Sequence, residues 1–296
     1  MISTKFFTKS FTKSFIAALI ISFTSVGFTA NKFNTHNALL QLQFPKPAAD
    51  TDSGNPLLYY GGPVISNVKV FTVLWNDRVS PAVKTGITDF YRAYVDSQHM
   101  DWLNEYATNV KAVDGRAGTG QTIGRGQVLG EKTLTPSVTA KKITDTQIQQ
   151  EIEKSIDAGL LPKPDKNMLY MMHFSKDIQI SIEGMTSCFS FGGYHNAFKS
   201  AKYGDIFYGV MPECSAFGGG NFGSITFVAA HELIEAVTDP IPTPGSSPAY
   251  PQAWNAADGN EIADLCGSST VLKGPKADYT ISMEWSNSRN RCYDGN

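Results

Sequence analysis

Along residues 64–75, hydrophobic and polar positions first alternate and then become fully apolar at Val73-Leu74-Trp75, a pattern that predicts a strand inside a sheet. Ile87, Phe90, Tyr91 and Tyr94 recur at helical spacing behind Ser80-Pro81, predicting a helix over 83–95, and Trp102-Leu103 continues a helix-like segment. A second amphipathic helix carries Ile148, Ile152 and Ile156 on one face; Thr144-Asp145 caps its start, and Gly159 and Pro162 end it. The runs 168–174 and 206–211 are nearly unbroken apolar stretches and predict buried strands, with His173 as a packed core or edge histidine. Residues 114–130 are dense in glycine with Thr, Gln and Arg between, and predict a surface loop. No GxxxxGK[ST] or GxGxxG pattern supports a phosphate cradle there. Strands and helices interleaved in this way point to a mixed α/β fold in one domain over residues 57–296.

The helix predicted near residues 225–238 departs from this pattern. It is mostly apolar, with Ser224 as candidate N-cap and Pro240 as its stop, yet it carries His231-Glu232-Leu233-Ile234-Glu235. Positions i and i+4 lie one above the other on a helix, so His231 and Glu235 can face one metal ion. Glu232 beside them matches the general base of the HExxH zinc-hydrolase helix. Here a glutamate replaces the second histidine. Zinc accepts a carboxylate oxygen, but the added negative charge weakens the ion's power to acidify water and admits a harder divalent ion. The alternative is a helix carrying a surface histidine and surface glutamates.

A third protein ligand is needed. The acid-rich stretch Asp258-Gly259-Asn260-Glu261-Ile262-Ala263-Asp264 offers Glu261 first and Asp264 second; its spacing is one residue off the second ligand helix of thermolysin-like enzymes. Asp239 is a third option, and His195 could serve as a ligand or as a hydrogen bonder in the transition state. Turn chemistry with solvated acids, or a separate calcium loop, remains the competing reading of 258–264.

Composition narrows the setting. Lys5, Lys9 and Lys13 precede a short apolar run beginning at Phe15, which predicts a signal peptide over 1–27, with cleavage after Gly27 or Ala30, or else an uncleaved anchor. Residues 28–56 read as a flexible leader, and no later run is long enough to cross a bilayer. Four cysteines fit an exported, secreted or periplasmic protein. Local closure favours Cys188 with Cys214 and Cys266 with Cys292; a four-cysteine zinc site lacks any CxxC pair. A formal net charge of −2 without a basic cluster beyond the leader argues against nucleic acid as a partner. The expected partner is a peptide or protein substrate, and the expected cofactor Zn²⁺ or another divalent ion.

Five blocks occur in a telling order: Tyr59-Tyr60-Gly61-Gly62-Pro63-Val64, Gly193-Tyr194-His195, His231 through Asp239-Pro240, Glu261-Ile262-Ala263-Asp264-Leu265-Cys266, and Trp285-Ser286-Asn287 followed by Cys292. Together they resemble exported bacterial proteins similar to the plant Exordium-type, phosphate-induced secreted family. The plant proteins more often end the helix in Asn-Pro, so Asp239 is a departure. The resemblance implies a secreted, zincin-like fold with a sheet packed against the HExxE helix, and says little about the reaction. The expected function is a metal-dependent hydrolase, most naturally a metallopeptidase; the alternative is a catalytically silent exported binding protein with a structural metal.

Overall fold

In the computed structural model the described residues are 39–41, 56–215, 220–243 and 247–295, all within the unit Lys32–Asn296. The expected signal peptide lies outside them, as does most of 28–56. Within that expected leader, β1 (Leu39–Gln41) is extended backbone paired antiparallel with a sheet strand.

The chain continues through β2 (Leu58–Tyr59), β3 (Asn67–Leu74), α1 (Pro81–Val95), α2 (Gln98–Asp101) and a 3₁₀ turn at Trp102–Tyr106. Next come β4 (Gly124–Thr133), β5 (Lys142–Thr144), α3 (Asp145–Asp157), β6 (Met168–Phe174), β7 (Gln179–Ile182) and β8 (Met185–Thr186). β9 (Phe191–Ser200) and β10 (Gly204–Pro212) precede the long helix α4 (Phe222–Thr238), and five short strands follow: β11 (Trp254–Asn255), β12 (Ser269–Lys273), β13 (Asp278–Ser282), β14 (Glu284–Ser286) and β15 (Arg291–Tyr293).

The principal sheet has the order β1-β9-β10-β6-β3-β4. β4, β3, β6 and β10 run parallel, while β9 and β1 are antiparallel additions, so the sheet is mixed and the fold is mixed α/β. The period-2 geometry of a strand sends alternate residues to opposite faces. In β6, Leu169 and Met171 join the core beneath α1 and α4, whereas Met168, Tyr170, Met172 and Phe174 join the core beneath α3. Every β6 residue is buried because helices cover both faces, which explains its unbroken apolar run.

Most predicted elements form. Ser80 stands before α1 with proline at its first turn, and Thr144 makes a capping box with Gln147 at α3. His173 is buried, as expected of a core histidine, with its Nε2 2.9 Å from the Tyr91 hydroxyl. One expectation needs correction. Residues 124–130 do not belong to a loop but to β4, the parallel edge strand beside β3. Within β4, Gly126 is there for close approach: a Cβ on it would lie 2.3 Å from the Val68 carbonyl oxygen. The cysteines pair as Cys188–Cys214 and Cys266–Cys292. Among the described residues no helix is long and apolar enough to cross a membrane.

Candidate metal centre

Helix α4 starts three residues earlier than its sequence suggests. Asn221, not Ser224, is the N-cap, and its side chain accepts a hydrogen bond from the Ser224 amide at 2.9 Å. The helix stops at Thr238 before Asp239-Pro240, because proline cannot supply the next amide donor. Leu233, Ile234, Ala236 and Val237 anchor it in the core. Rigid apolar packing therefore holds His231, Glu232 and Glu235 in a buried position, each with 2% or less of its surface exposed.

Across from α4 stands β9. Its residues 193, 195 and 197 point toward the helix, and Gly193 makes room for Glu232: a Cβ there would sit 3.0 Å from Glu232 Oε1 and 2.5 Å from Val228 Cγ1. Two residues on, His195 is wholly buried. Its Nε2 faces the Asp239 main-chain carbonyl at 3.0 Å, and its Nδ1 lies 3.6 Å from Glu232 Oε2 and 3.8 Å from Glu235 Oε2.

The third wall is the acid-rich stretch 258–264. It is an irregular turn rather than the second ligand helix the sequence suggested. Asp258 and Asn260 are exposed and bond to each other, as ordinary turn chemistry requires. Glu261 and Asp264 turn inward. The Cys266–Cys292 disulfide and the Trp285 amide, which donates to the Ile262 carbonyl at 2.9 Å, fix that turn against β14 and β15.

The two leading candidates for third ligand separate in space. Asp264 Oδ1 lies 3.5 Å from His231 Nε2, and Glu235 Oε1 lies 3.0 Å from the same nitrogen. Glu261, the first choice from sequence, sits behind His195 instead, with Oε1 3.6 Å from Nε2. Asp239 is not free to act as a ligand: its Oδ1 accepts from the Ala253 amide at 2.8 Å, and its Oδ2 from the Asn255 side chain. Its role is to hold β11 in place and to present its own carbonyl to His195. The sequence gives no local sign of that second part.

Burying this many acids is costly without counter-charge. Among the described residues no lysine or arginine forms an ion pair with Glu232, Glu235, Asp239, Glu261 or Asp264; the rings that approach these acids are His195 and His231. Burial pushes the carboxyls of Glu232, Asp239 and Glu261 well above the usual range, and neighbouring acids add to the push. Glu235 is raised to about 7, again chiefly by burial. His195 is driven down to about 3 by burial and is neutral at physiological pH. His231 is held well above its ordinary value, because Glu235, Asp264 and Glu232 outweigh the opposing effect of burial. Tyr91, beneath Glu232, is raised by burial and then by the charge of that glutamate.

Seven buried atoms here lack a hydrogen-bond partner: His195 Nδ1, His231 Nε2, Glu232 Oε1 and Oε2, Glu235 Oε1, and Glu261 Oε1 and Oε2. His231 Nε2 is close to Glu235 but out of line for a hydrogen bond. Each orphaned buried polar group costs about 1–3 kcal/mol, more when charged, so a cluster of seven calls for a missing partner. The donor chemistry fits a divalent ion. Tetrahedral ligands about 2.05 Å from zinc stand roughly 3.3 Å apart, and His231, Glu235 and Asp264 are separated from the shared nitrogen by 3.0 and 3.5 Å. All three offer atoms within 4.8 Å of one another.

No family model matches the chain, and no curated protein matches it.

Proposed function

We propose that this chain is an exported metal-dependent hydrolase acting on peptide bonds, with a zinc-like divalent ion held by His231 Nε2, Glu235 Oε1 and Asp264 Oδ1. The observation that carries the reading is the trio His231, Glu235 and Asp264, whose donor atoms all lie within 4.8 Å of one another while His231 Nε2 and Glu235 Oε1 are buried without a hydrogen-bond partner. Such an ion supplies Lewis acidity, polarising a carbonyl and acidifying water. Glu232 accepts the proton released from the attacking water. Its Oε1 has no hydrogen-bond partner to compete for that proton. Asp264, whose side chain keeps 19% of its surface exposed, is the member of the set that reaches solvent and marks the direction of approach. Export is supported by the basic-then-apolar start of the chain and by two disulfides, which persist in oxidising compartments. The ordered blocks that resemble Exordium-type secreted proteins support a zincin-like scaffold.

A second reading has its own support. Glu232 and Glu235 are closed off from solvent, which suits a metal that stabilises a binding protein as well as one that performs chemistry. Hydrolysis of a peptide library by the metal-loaded protein, compared with Glu232→Gln, separates the two. Cleavage that needs both the metal and Glu232 supports the enzyme. Bound metal without cleavage supports the binding protein.

A further inference from the structure

We infer that the centre is dinuclear: a second divalent cation sits between His195 Nδ1, Glu232 Oε2 and Glu235 Oε2, and Glu235 bridges it to the ion at His231 and Asp264. This rests on the metal-centre reading above and adds a site to it.

The tautomer of His195 is the starting point. Among the described residues the acceptor at hydrogen-bond distance from its ring is the Asp239 carbonyl, 3.0 Å from Nε2. A carbonyl accepts only, so Nε2 carries the proton and Nδ1 presents a lone pair. That lone pair is buried, has no partner and faces two carboxylate oxygens at 3.6 and 3.8 Å. If Nδ1 carried a proton it would draw one of them to roughly 2.7–3.2 Å. If a carboxyl proton bridged the gap, the same shortening would follow. Neither is seen. Three electron-rich atoms, all within 4.8 Å of one another, surround a point without touching and are arranged as ligands are; the two separations from Nδ1 are close to the roughly 3.3 Å edge of a zinc tetrahedron. A ring that gives its other N–H to a main-chain carbonyl is also the usual posture of a metal-bound histidine.

The two histidines belong to different donor sets. The donor atoms fall into two mutually close sets, His231-Glu235-Asp264 and His195-Glu232-Glu235, and neither contains both rings. What they share is Glu235, and it divides itself between them: Oε1 lies 3.0 Å from His231 Nε2, while Oε2 lies 3.8 Å from His195 Nδ1. A carboxylate with its two oxygens aimed at different ligand sets is placed to bridge two ions, as in two-metal hydrolytic sites. Charge agrees. Four buried carboxyls and the part-exposed Asp264 can carry five negative charges between them, of which one divalent ion offsets two and two ions offset four. In this arrangement Glu232 binds through Oε2 and keeps Oε1 for the proton.

The test is a count of ions. The full exported chain would be stripped with a chelator, reloaded with Zn²⁺, desalted and measured by elemental analysis. Two ions per chain are expected, falling to one in His195→Ala with the ion at His231 retained. Zero ions in the wild type would remove the metal reading altogether. One ion that survives His195→Ala would overturn the second site and leave the first; one ion that is lost with His195→Ala would overturn the dinuclear centre, because the single ion would then depend on His195. Should His195→Ala fail to fold, His195→Gln and the wild type loaded with Mn²⁺ keep the test open. Electron paramagnetic resonance of the Mn²⁺ form should show a spin-coupled pair, and the six-line spectrum of isolated ions would contradict it.

Discussion

His195 Nε2 donates to the main-chain carbonyl of Asp239 across 3.0 Å, and that bond decides which nitrogen of the ring faces the acids. Asp239 closes helix α4 two turns beyond His231, so the residue that ends the helix also orients a histidine on the neighbouring strand. Helix, strand β9 and site are thereby fixed together.

Glu232→Gln is expected to keep the fold and the ion at His231 and to lose hydrolysis by roughly a hundred- to ten-thousand-fold, the usual worth of a general base. Paired measurements of zinc content and initial rate on a peptide library check it. Equal rates in the two proteins would contradict the assigned role.

Without metal, stability should depend on pH through the buried acids. Glu235 is raised from an ordinary 4.5 to about 7, so the folded state holds its proton more tightly than the unfolded chain does. Its contribution is present below about pH 4.5 and lost as pH rises through about 7, on the order of 3 kcal/mol from this group. Thermal melts of chelated protein should therefore show a falling Tm across that window, and zinc should flatten the fall. A chelated protein equally stable at pH 5 and pH 8 would be inconsistent with this.

A second pH effect lies elsewhere. His99 is buried with Nε2 2.5 Å from Glu284 Oε2 and Nδ1 2.9 Å from the Asp294 carbonyl oxygen. Burial opposes its charge, but Glu284 and Asp294 outweigh burial and raise its pKa. The stabilisation is complete below the ordinary 6.5 and declines as pH rises through the higher folded value. His99→Gln should lower Tm more at pH 6 than at pH 9. Equal losses at both would argue against an ionised pair.

Much of this architecture is written in the chain. The capping box at Thr144-Gln147, the Ile148-Ile152-Ile156 stripe and the all-apolar β6 each follow from local pattern alone, and local closure suffices to pair the cysteines. β4 was hidden because its glycines serve close packing against β3, which reads locally as loop chemistry. The ranking of Glu261 over Asp264 assumed a helix. The segment is a turn whose facing is set by Cys292 and Trp285, residues more than 20 positions away. Nor could local sequence foresee that Ala253 and Asn255 would occupy the Asp239 carboxylate.

Removing the clamp on that turn should reach the site. The Cys266–Cys292 link spans 26 residues, and its loss costs about 3.5 kcal/mol on loop-entropy grounds. The Cys266→Ser, Cys292→Ser double variant should melt earlier and bind zinc more weakly, since Asp264 loses its anchor. Titration with a zinc indicator measures the second effect. Unchanged affinity would mean that Asp264 is not a ligand.

Gly193→Ala tests the contact between β9 and α4. The added methyl would press on Val228 and Glu232, an overpacking cost of about 1–3 kcal/mol. Lower Tm with weaker metal binding is expected, and a neutral substitution would show that the helix has slack at this point.

The central claim is that this cluster exists to hold metal, and anomalous X-ray diffraction from zinc-loaded crystals tests it most directly. The account predicts a strong peak within about 2.0–2.2 Å of His231 Nε2, Glu235 and Asp264. Crystals with no anomalous peak at the cluster, and with water bonded to the seven partnerless atoms instead, would contradict it.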